Sequence, residues 1–271
     1  MARGSTQLDG AHAVVTGGSS GIGEATALEL ARRGARVTLM ARRPGPLDEA
    51  AGRIRMAADA DVGIVPVDVS GRVEVGEAFR TAVGERGEVD VLVTSAGVTR
   101  PGRFVELEDD VFTTMMEVDY FGTLWPVRAV VPSMVRRGCG SIVMVSSAAA
   151  LVGIYGYSAY GAAKFAVRGL AEALRTELAP NGVHVACAYP ADVETPMLAE
   201  EAQHKPAETA AIAGSITPIE ATQVAAAIVA GIRRGTPEIY AEPQSRALAR
   251  TVAAVPGIYR RMFDRRVASV R

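Results

Sequence analysis

Tyr160 and Lys164 stand four residues apart in Ser158-Ala159-Tyr160-Gly161-Ala162-Ala163-Lys164, a helix-forming run, so their side chains share one face. A phenol ionises near pH 10 and trades protons poorly at neutrality; an ammonium beside it favours the phenolate and brings that value down. The pair can therefore act as a general acid or base. Of 29 basic residues only two are lysines, Lys164 and Lys205, and the other 27 are arginines. A lysine kept at this position suits a compact ammonium that hydrogen-bonds a ribose while tuning the phenol. Thirteen residues upstream, Ser147 follows the apolar run Ile142-Val143-Met144-Val145. A hydroxyl at the C-terminal end of a parallel strand lies where doubly wound sheets bind ligands, and it can hold a carbonyl oxygen beside Tyr160. Ser146 competes for that role, because one step along a strand reverses the side-chain direction.

A second group of residues points to a nucleotide. Thr16-Gly17-Gly18-Ser19-Ser20-Gly21-Ile22-Gly23 joins an apolar strand to a helix-like segment. Its glycine spacing is not G-x-G-x-x-G, but the physical task is the same. Glycines let the backbone turn sharply and approach a pyrophosphate, whose charge meets the helix N-terminus. The next strand ends Met40-Ala41-Arg42-Arg43, with two guanidiniums where a carboxylate would bind ribose hydroxyls. Arginine's planar fork suits a 2′-phosphate, so NADP(H) is expected over NAD(H).

The elements that must position these groups alternate along the chain. Expected strands are His12–Thr16, Arg36–Ala41, Val62–Val67, Val89–Thr94, Ser141–Ser146 and Val183–Tyr189, with another near Glu238–Ala241. Expected helices lie near Ile22–Arg33, Leu47–Ala58, Arg72–Arg86, Asp109–Arg137, Ser158–Ala179 and Glu220–Arg233. Strand and helix in alternation predict an α/β fold, a single Rossmann-like doubly wound domain over residues 1–242 with helices on both faces of a parallel sheet. Pro190–Thr217 carries several prolines without a strand signal and reads as a substrate loop, residues 190–218. Residues 243–271 hold seven arginines against Asp264, with Leu248, Val252, Val255, Ile258, Tyr259, Met262, Phe263 and Val267 at helical spacing. They are expected to form one basic amphipathic helix.

Composition excludes other classes. The 271 residues carry 29 basic and 30 acidic groups and only 5% aromatics, which gives no electrostatic or stacking case for nucleic acid. Cys139 and Cys187 make neither a disulfide framework nor a zinc site, so no metal is expected and a reducing, cytoplasmic location is. The N-terminal MARGSTQLDG has no apolar leader, and no run reaches the roughly 18 apolar residues of a membrane span. His12, His184 and His204 form no nucleophile or metal motif; the first two fall in expected strands and read as structural.

Thr16–Gly23, Ser95-Ala96-Gly97, Ser147, Tyr160 and Lys164, in this order and spacing, resemble the short-chain dehydrogenase/reductase family over roughly residues 10–241. The resemblance implies hydride transfer between a nicotinamide and a carbonyl or secondary alcohol. Tyr160 would transfer the proton, Ser147 position the oxygen and Lys164 bind ribose. It also implies cofactor contacts from Gly17, Ser19, Ser20, Gly21, Ile22, Gly23, Arg42, Arg43, Asp68, Val69, Ser95, Ala96, Gly97, Tyr160, Lys164, Pro190, Val193 and Thr195. Three positions depart from the family pattern. Ser95 replaces the first asparagine of its N-A-G turn, Ala191 replaces the glycine after Pro190, and Asp119 stands where an asparagine completes the catalytic tetrad.

A closer likeness lies in Val37-Thr38-Leu39-Met40-Ala41-Arg42, in Arg168-Gly169-Leu170-Ala171-Glu172-Ala173-Leu174, and in the loop Ala188-Tyr189-Pro190-Ala191-Asp192-Val193-Glu194-Thr195-Pro196 with Ala199-Glu200-Glu201 and Lys205-Pro206-Ala207-Glu208-Thr209. These blocks resemble 3-ketodihydrosphingosine reductases, which implies a lipophilic 3-keto amine as substrate. Leu151, Val152, Ile154, Tyr155 and Met197 also suit a steroid, an acyl chain or a small xenobiotic ketone. A binding-only regulator is the reading from another class, hinted at by Asp119 alone. Lys205 is either part of the likeness or a solvated loop lysine. The tail either closes the domain, forms a subunit interface, covers an acyl chain or touches a bilayer. The family resemblance implies a homodimer or homotetramer through Asp109–Arg137 and Ser158–Ala179.

Overall fold

Apolar residues run almost without interruption through the first strands, and the computed structural model shows why: both faces of the sheet are covered. It describes residues 6–213 and 217–270; expectations touching residues 1–5, 214–216, Arg271 and the side chain of Ile258 lie outside the described residues. Strands β1 (His12–Thr16), β2 (Arg36–Ala41), β3 (Val62–Pro66), β4 (Val91–Thr94), β5 (Gly140–Val145) and β6 (Val183–Ala188) alternate with helices α1 (Gly21–Ala31), α2 (Pro44–Ala58), α3 (Arg72–Arg86), α4 (Asp109–Met115), α5 (Gly122–Arg137) and α6 (Ser158–Leu178). Then follow β7 (Val193–Glu194), α7 (Pro196–Ala202), α8 (Ala207–Ala213), β8 (Ile219–Glu220), α9 (Ala221–Arg234), β9 (Glu238–Ile239), α10 (Pro243–Ala254) and α11 (Pro256–Ala268).

Seven strands form one parallel sheet in the order β3-β2-β1-β4-β5-β6-β9, and β7 pairs with β8 beside it. The order reverses between β1 and β4, the switch point where such sheets open a crevice for a ligand. Successive strand residues face opposite ways. Ala13 and Val15 join a core with Leu30 of α1, Ile54 of α2 and Ile228 of α9, while Val14 joins the other with Phe79 of α3, Met134 of α5 and Val167 of α6. The doubly wound α/β expectation holds.

Three local expectations are corrected. The helix expected over Asp109–Arg137 is broken by a wide π turn, Met116–Phe121, between α4 and α5. A single turn of this kind shifts the apolar stripe by one position only, too little to stand out against the ordinary scatter of a helical pattern. The tail is two helices, because Val255 (φ −138°, ψ 60°) precedes Pro256, whose ring disfavours helical backbone in the residue before it. The loop after Pro190 is not structureless; it holds β7, α7 and α8.

Candidate active site

At the end of β1 the chain turns under β4 so closely that side chains have no room. A Cβ on Gly17 would lie 2.6 Å from the Ala96 backbone nitrogen, and one on Gly23 would lie 2.2 Å from the Gly17 carbonyl oxygen. The groove so formed, about 240 Å³, is lined by Gly17, Ser19, Ser20, Gly21 and Ile22 on one side and by Asp68, Val69, Ser95, Ala96 and Gly97 on the other. Arg42 and Arg43 stand at its outer end and Thr195 at its inner end. The Arg42 guanidinium reaches within 3.8 Å of Asp68 but stays largely exposed. Gly23 packs beneath the turn, outside the lining. Pro190 and Val193 line the adjoining cavity instead, where the Pro190 carbonyl accepts the Ala148 N–H at 2.8 Å. Thr195 caps α7, its hydroxyl accepting the Leu198 N–H at 3.3 Å.

Beyond the groove lie the three residues singled out for chemistry. Ser147 caps a short turn by accepting the Ala149 N–H at 3.1 Å, and its hydroxyl lies close enough to Tyr160 to favour the phenolate. Ser146 points the other way, donating to the Lys164 carbonyl at 2.9 Å, so Ser147 is the serine that faces Tyr160. The Lys164 ammonium is buried, 5.5 Å from the centre of the Tyr160 ring. It donates to the Val145 carbonyl at 3.4 Å and pairs with Asp119 Oδ1 at 3.3 Å. The π turn carries Asp119 inward to full burial, where Oδ1 also accepts the Val98 N–H at 3.1 Å.

The electrostatics correct one expectation. Burial holds the Tyr160 phenol above its ordinary value; Lys164 and the nearby Ser147 hydroxyl pull it down, but Asp119 and Glu201 push it up. Lys164 lowers the phenol as expected, yet desolvation outweighs it in the protein alone. For Lys164 itself, burial would disfavour the ammonium, and the charges of Asp119 and Tyr160 more than offset that. Desolvation raises the Asp119 carboxyl despite its bonds to Lys164 and Val98.

Ser147 and Tyr160 open into a second cavity of about 580 Å³, which shares Ile22, Ser95, Gly97, Thr195 and Met197 with the glycine groove, so the two form one cleft. Val152, Ile154 and Met197 line it as expected. Leu151 does not, being buried in the core, and Tyr155 lies outside it, on a neighbouring depression. Its far wall is the tail: Leu248 and Thr251 of α10 and Tyr259, Met262 and Phe263 of α11. The wall agrees with one of the roles the sequence left open for the tail, covering an acyl chain, whereas the pairing of Tyr157 with Glu201 in the polar floor had no signal in the sequence. The Tyr157 hydroxyl donates to Glu201 Oε1, and Lys205 pairs with Glu201 at 2.7 Å and with Asp192 at 3.5 Å. Lys205 is thus no solvated loop residue. His12 bonds Thr38 and Gly87, and His184 bonds Ser141 and Thr236; burial lowers both imidazoles, which are structural.

A model of the short chain dehydrogenase family matches residues 11–206. The chain belongs to that family. Among curated relatives of this short-chain dehydrogenase, a 3-dehydrosphinganine reductase from Danio rerio is 44% identical over 227 residues, 82% of this chain and 68% of the relative. A 3-ketodihydrosphingosine reductase from Bos taurus is 43% identical over 226 residues, with the same shares. Among solved structures, a levodione reductase superposes with a TM-score of 0.81 over 88% of this chain and 99% of its own, at 23% identity, a likeness of fold. An actinorhodin polyketide ketoreductase solved with NADPH gives 0.77 at 30% identity, over 90% of this chain and 94% of its own.

Proposed function

We propose that this short-chain dehydrogenase is an NADP(H)-dependent ketoreductase acting on a lipophilic keto compound, with a 3-keto sphingoid base as the favoured substrate. One observation carries the reading: the Ser147 and Tyr160 hydroxyls meet where a groove with two arginines at its mouth runs into a largely apolar cavity. The glycine turn fits a dinucleotide: with no side chain at Gly17 or Gly23 the backbone packs tightly against itself and against the end of β4, and it leaves its own surface bare for a pyrophosphate at the start of α1. Arg42 and Arg43 would hold a 2′-phosphate. Bound NADPH supplies the hydride that the carbonyl carbon accepts. Tyr160 gives its phenolic proton to the carbonyl oxygen, and Ser147 holds that oxygen by a second hydrogen bond. Lys164, fixed by Asp119 and the Val145 carbonyl, holds ribose hydroxyls and favours departure of the Tyr160 proton. Asp119 acts as the positioning group in place of the family's asparagine, through a carboxylate rather than an amide.

The names of the curated relatives and the apolar tail wall both support a long-chain substrate. The steroid or small-ketone reading keeps the same catalytic groups and changes only what fills the cavity. With Tyr160, Lys164 and Ser147 assembled, a binding-only regulator has no observation in its favour. The tail gives Leu248, Tyr259, Met262 and Phe263 to the cavity wall, and any contact with a bilayer would use the exposed Arg260, Arg261 and Arg265 with the exposed Val255 and Val270. We place the enzyme in the cytoplasm on its two free thiols. We read it as a homodimer or homotetramer joined through α5 and α6, whose exposed Phe165 suits such a face. Consumption of NADPH with a long-chain 3-keto amine, beside NADH and a steroid ketone panel, tests the assignment. Turnover of the keto amine with NADPH is the expected result; turnover of other ketones alone would remove the lipid substrate and keep the chemistry.

A further inference from the structure

The substrate cavity is apolar on the tail side and acidic on the loop side. Asp192, Glu201 and Glu242 line it, and the lining cations are Arg266 and Lys164, the second already matched by Asp119. Lys205 stands behind the wall between Asp192 and Glu201, so that trio keeps one negative charge. Glu201 is nine-tenths buried, touches Tyr157, and is close enough to Tyr160 to disfavour its phenolate. An independent sign comes from Glu242. Its Oε1 accepts the Ser245 hydroxyl and the Ala191 N–H, while its buried Oε2 has no partner among the described residues. Buried carboxylates with spare acceptor capacity are costly unless a donor or cation meets them.

We propose that Glu201 and Asp192, bridged from behind by Lys205, form a receptor for an alkylammonium group next to the reacting carbonyl, with Glu242 adding to the negative field. The inference rests on the ketoreductase reading and sharpens it: the ligand is an α-amino ketone bound as its cation, its alkyl chain running along the tail wall. Lys205 already shows how the trio treats an ammonium, lying 2.7 Å from one carboxylate and 3.5 Å from the other. A bound cation at this point would also cancel the push of Glu201 on Tyr160, easing release of the phenolic proton as the alkoxide forms.

Calorimetric binding of octylammonium and of 1-octanol to the NADPH-loaded protein tests the receptor without needing turnover. The wild type should prefer the amine, and Glu201→Gln, which keeps the size and the Tyr157 contact, should shrink that preference about 10- to 100-fold. Asp192→Asn should act in the same direction. Equal affinity for amine and alcohol in the wild type, or an undiminished preference in both variants, overturns the proposal. Turnover of a 2-amino-3-ketone and of the ketone lacking the amine separates the two readings. An intact amine preference with no turnover of either ketone supports the receptor and sinks the substrate assignment. Turnover of both with equal kcat/KM overturns the receptor and leaves the ketoreductase standing.

Discussion

Replacing Lys164 with methionine removes the ammonium and keeps most of the side-chain volume, and its consequence for stability can be worked from the geometry. Asp119 is fully buried; its Oδ1 would keep only the Val98 N–H, and its Oδ2 has no partner among the described residues. Breaking a buried pair by removing one member typically costs about 3–5 kcal/mol, because a charge is left behind without compensation. At about 2–4 °C per kcal/mol for a domain near this size, Lys164→Met should melt roughly 6–20 °C below the wild type. Ketone reduction should vanish with it. Adding Asp119→Asn removes the stranded charge, so the double variant should regain most of the lost melting temperature and none of the activity. The pH dependence has a definite sign. Burial already holds the Asp119 carboxyl above its ordinary value, and Lys164 opposes that rise. Without the ammonium the folded state binds the proton more readily than the unfolded state, so stability falls as pH rises. The gap between Lys164→Met and wild type should therefore narrow from about pH 7 toward about pH 5. Calorimetric melting across that range, beside NADPH-linked reduction, measures both. A single variant that melts with the wild type, or a double variant as unstable as the single, would refute the account of the pair.

Tyr160→Phe should lower kcat by about 10²–10⁴-fold while NADPH binding, followed by its fluorescence, stays intact. Arg42→Ala should weaken NADPH about tenfold or more and NADH far less, and equal losses would remove the 2′-phosphate role. Gly23→Ala should abolish cofactor binding or folding, because the added Cβ meets the Gly17 carbonyl oxygen at 2.2 Å, where only backbone can give way. Phe263→Ala, in the tail wall, should raise KM for a long-chain ketone by about tenfold and for a short one much less; equal changes would show that the wall does not hold the chain.

What the sequence discloses and what it conceals divide along distance. The glycine turn and the Tyr160–Lys164 pair are local devices, each contained within one turn or one helical repeat, so residue type and spacing reveal them. Ser147 needs only the end of its own strand, and the structure decides between it and Ser146 by the direction of one side chain. The floor of the cavity is different. Tyr157 meets Glu201 across 44 residues of chain, and no period or motif joins them. Tail and cleft come together by the same long-range route. The amphipathic spacing of the tail reported an apolar face and left its partner open among the domain, another subunit, a bilayer and an acyl chain, and it ran on through Pro256, whose effect on Val255 was there to be read. The π turn had no such signal; it appears only where Asp119 is brought to Lys164.

The tail wall has a further consequence. The groups that would move hydride and proton are rooted in the sheet and α6, whereas one side of the chamber that receives the ketone is a separate pair of helices joined at a proline-marked bend. Exchange of residues along α10 and α11 can thus retune which molecules are admitted while leaving the reactive centre untouched.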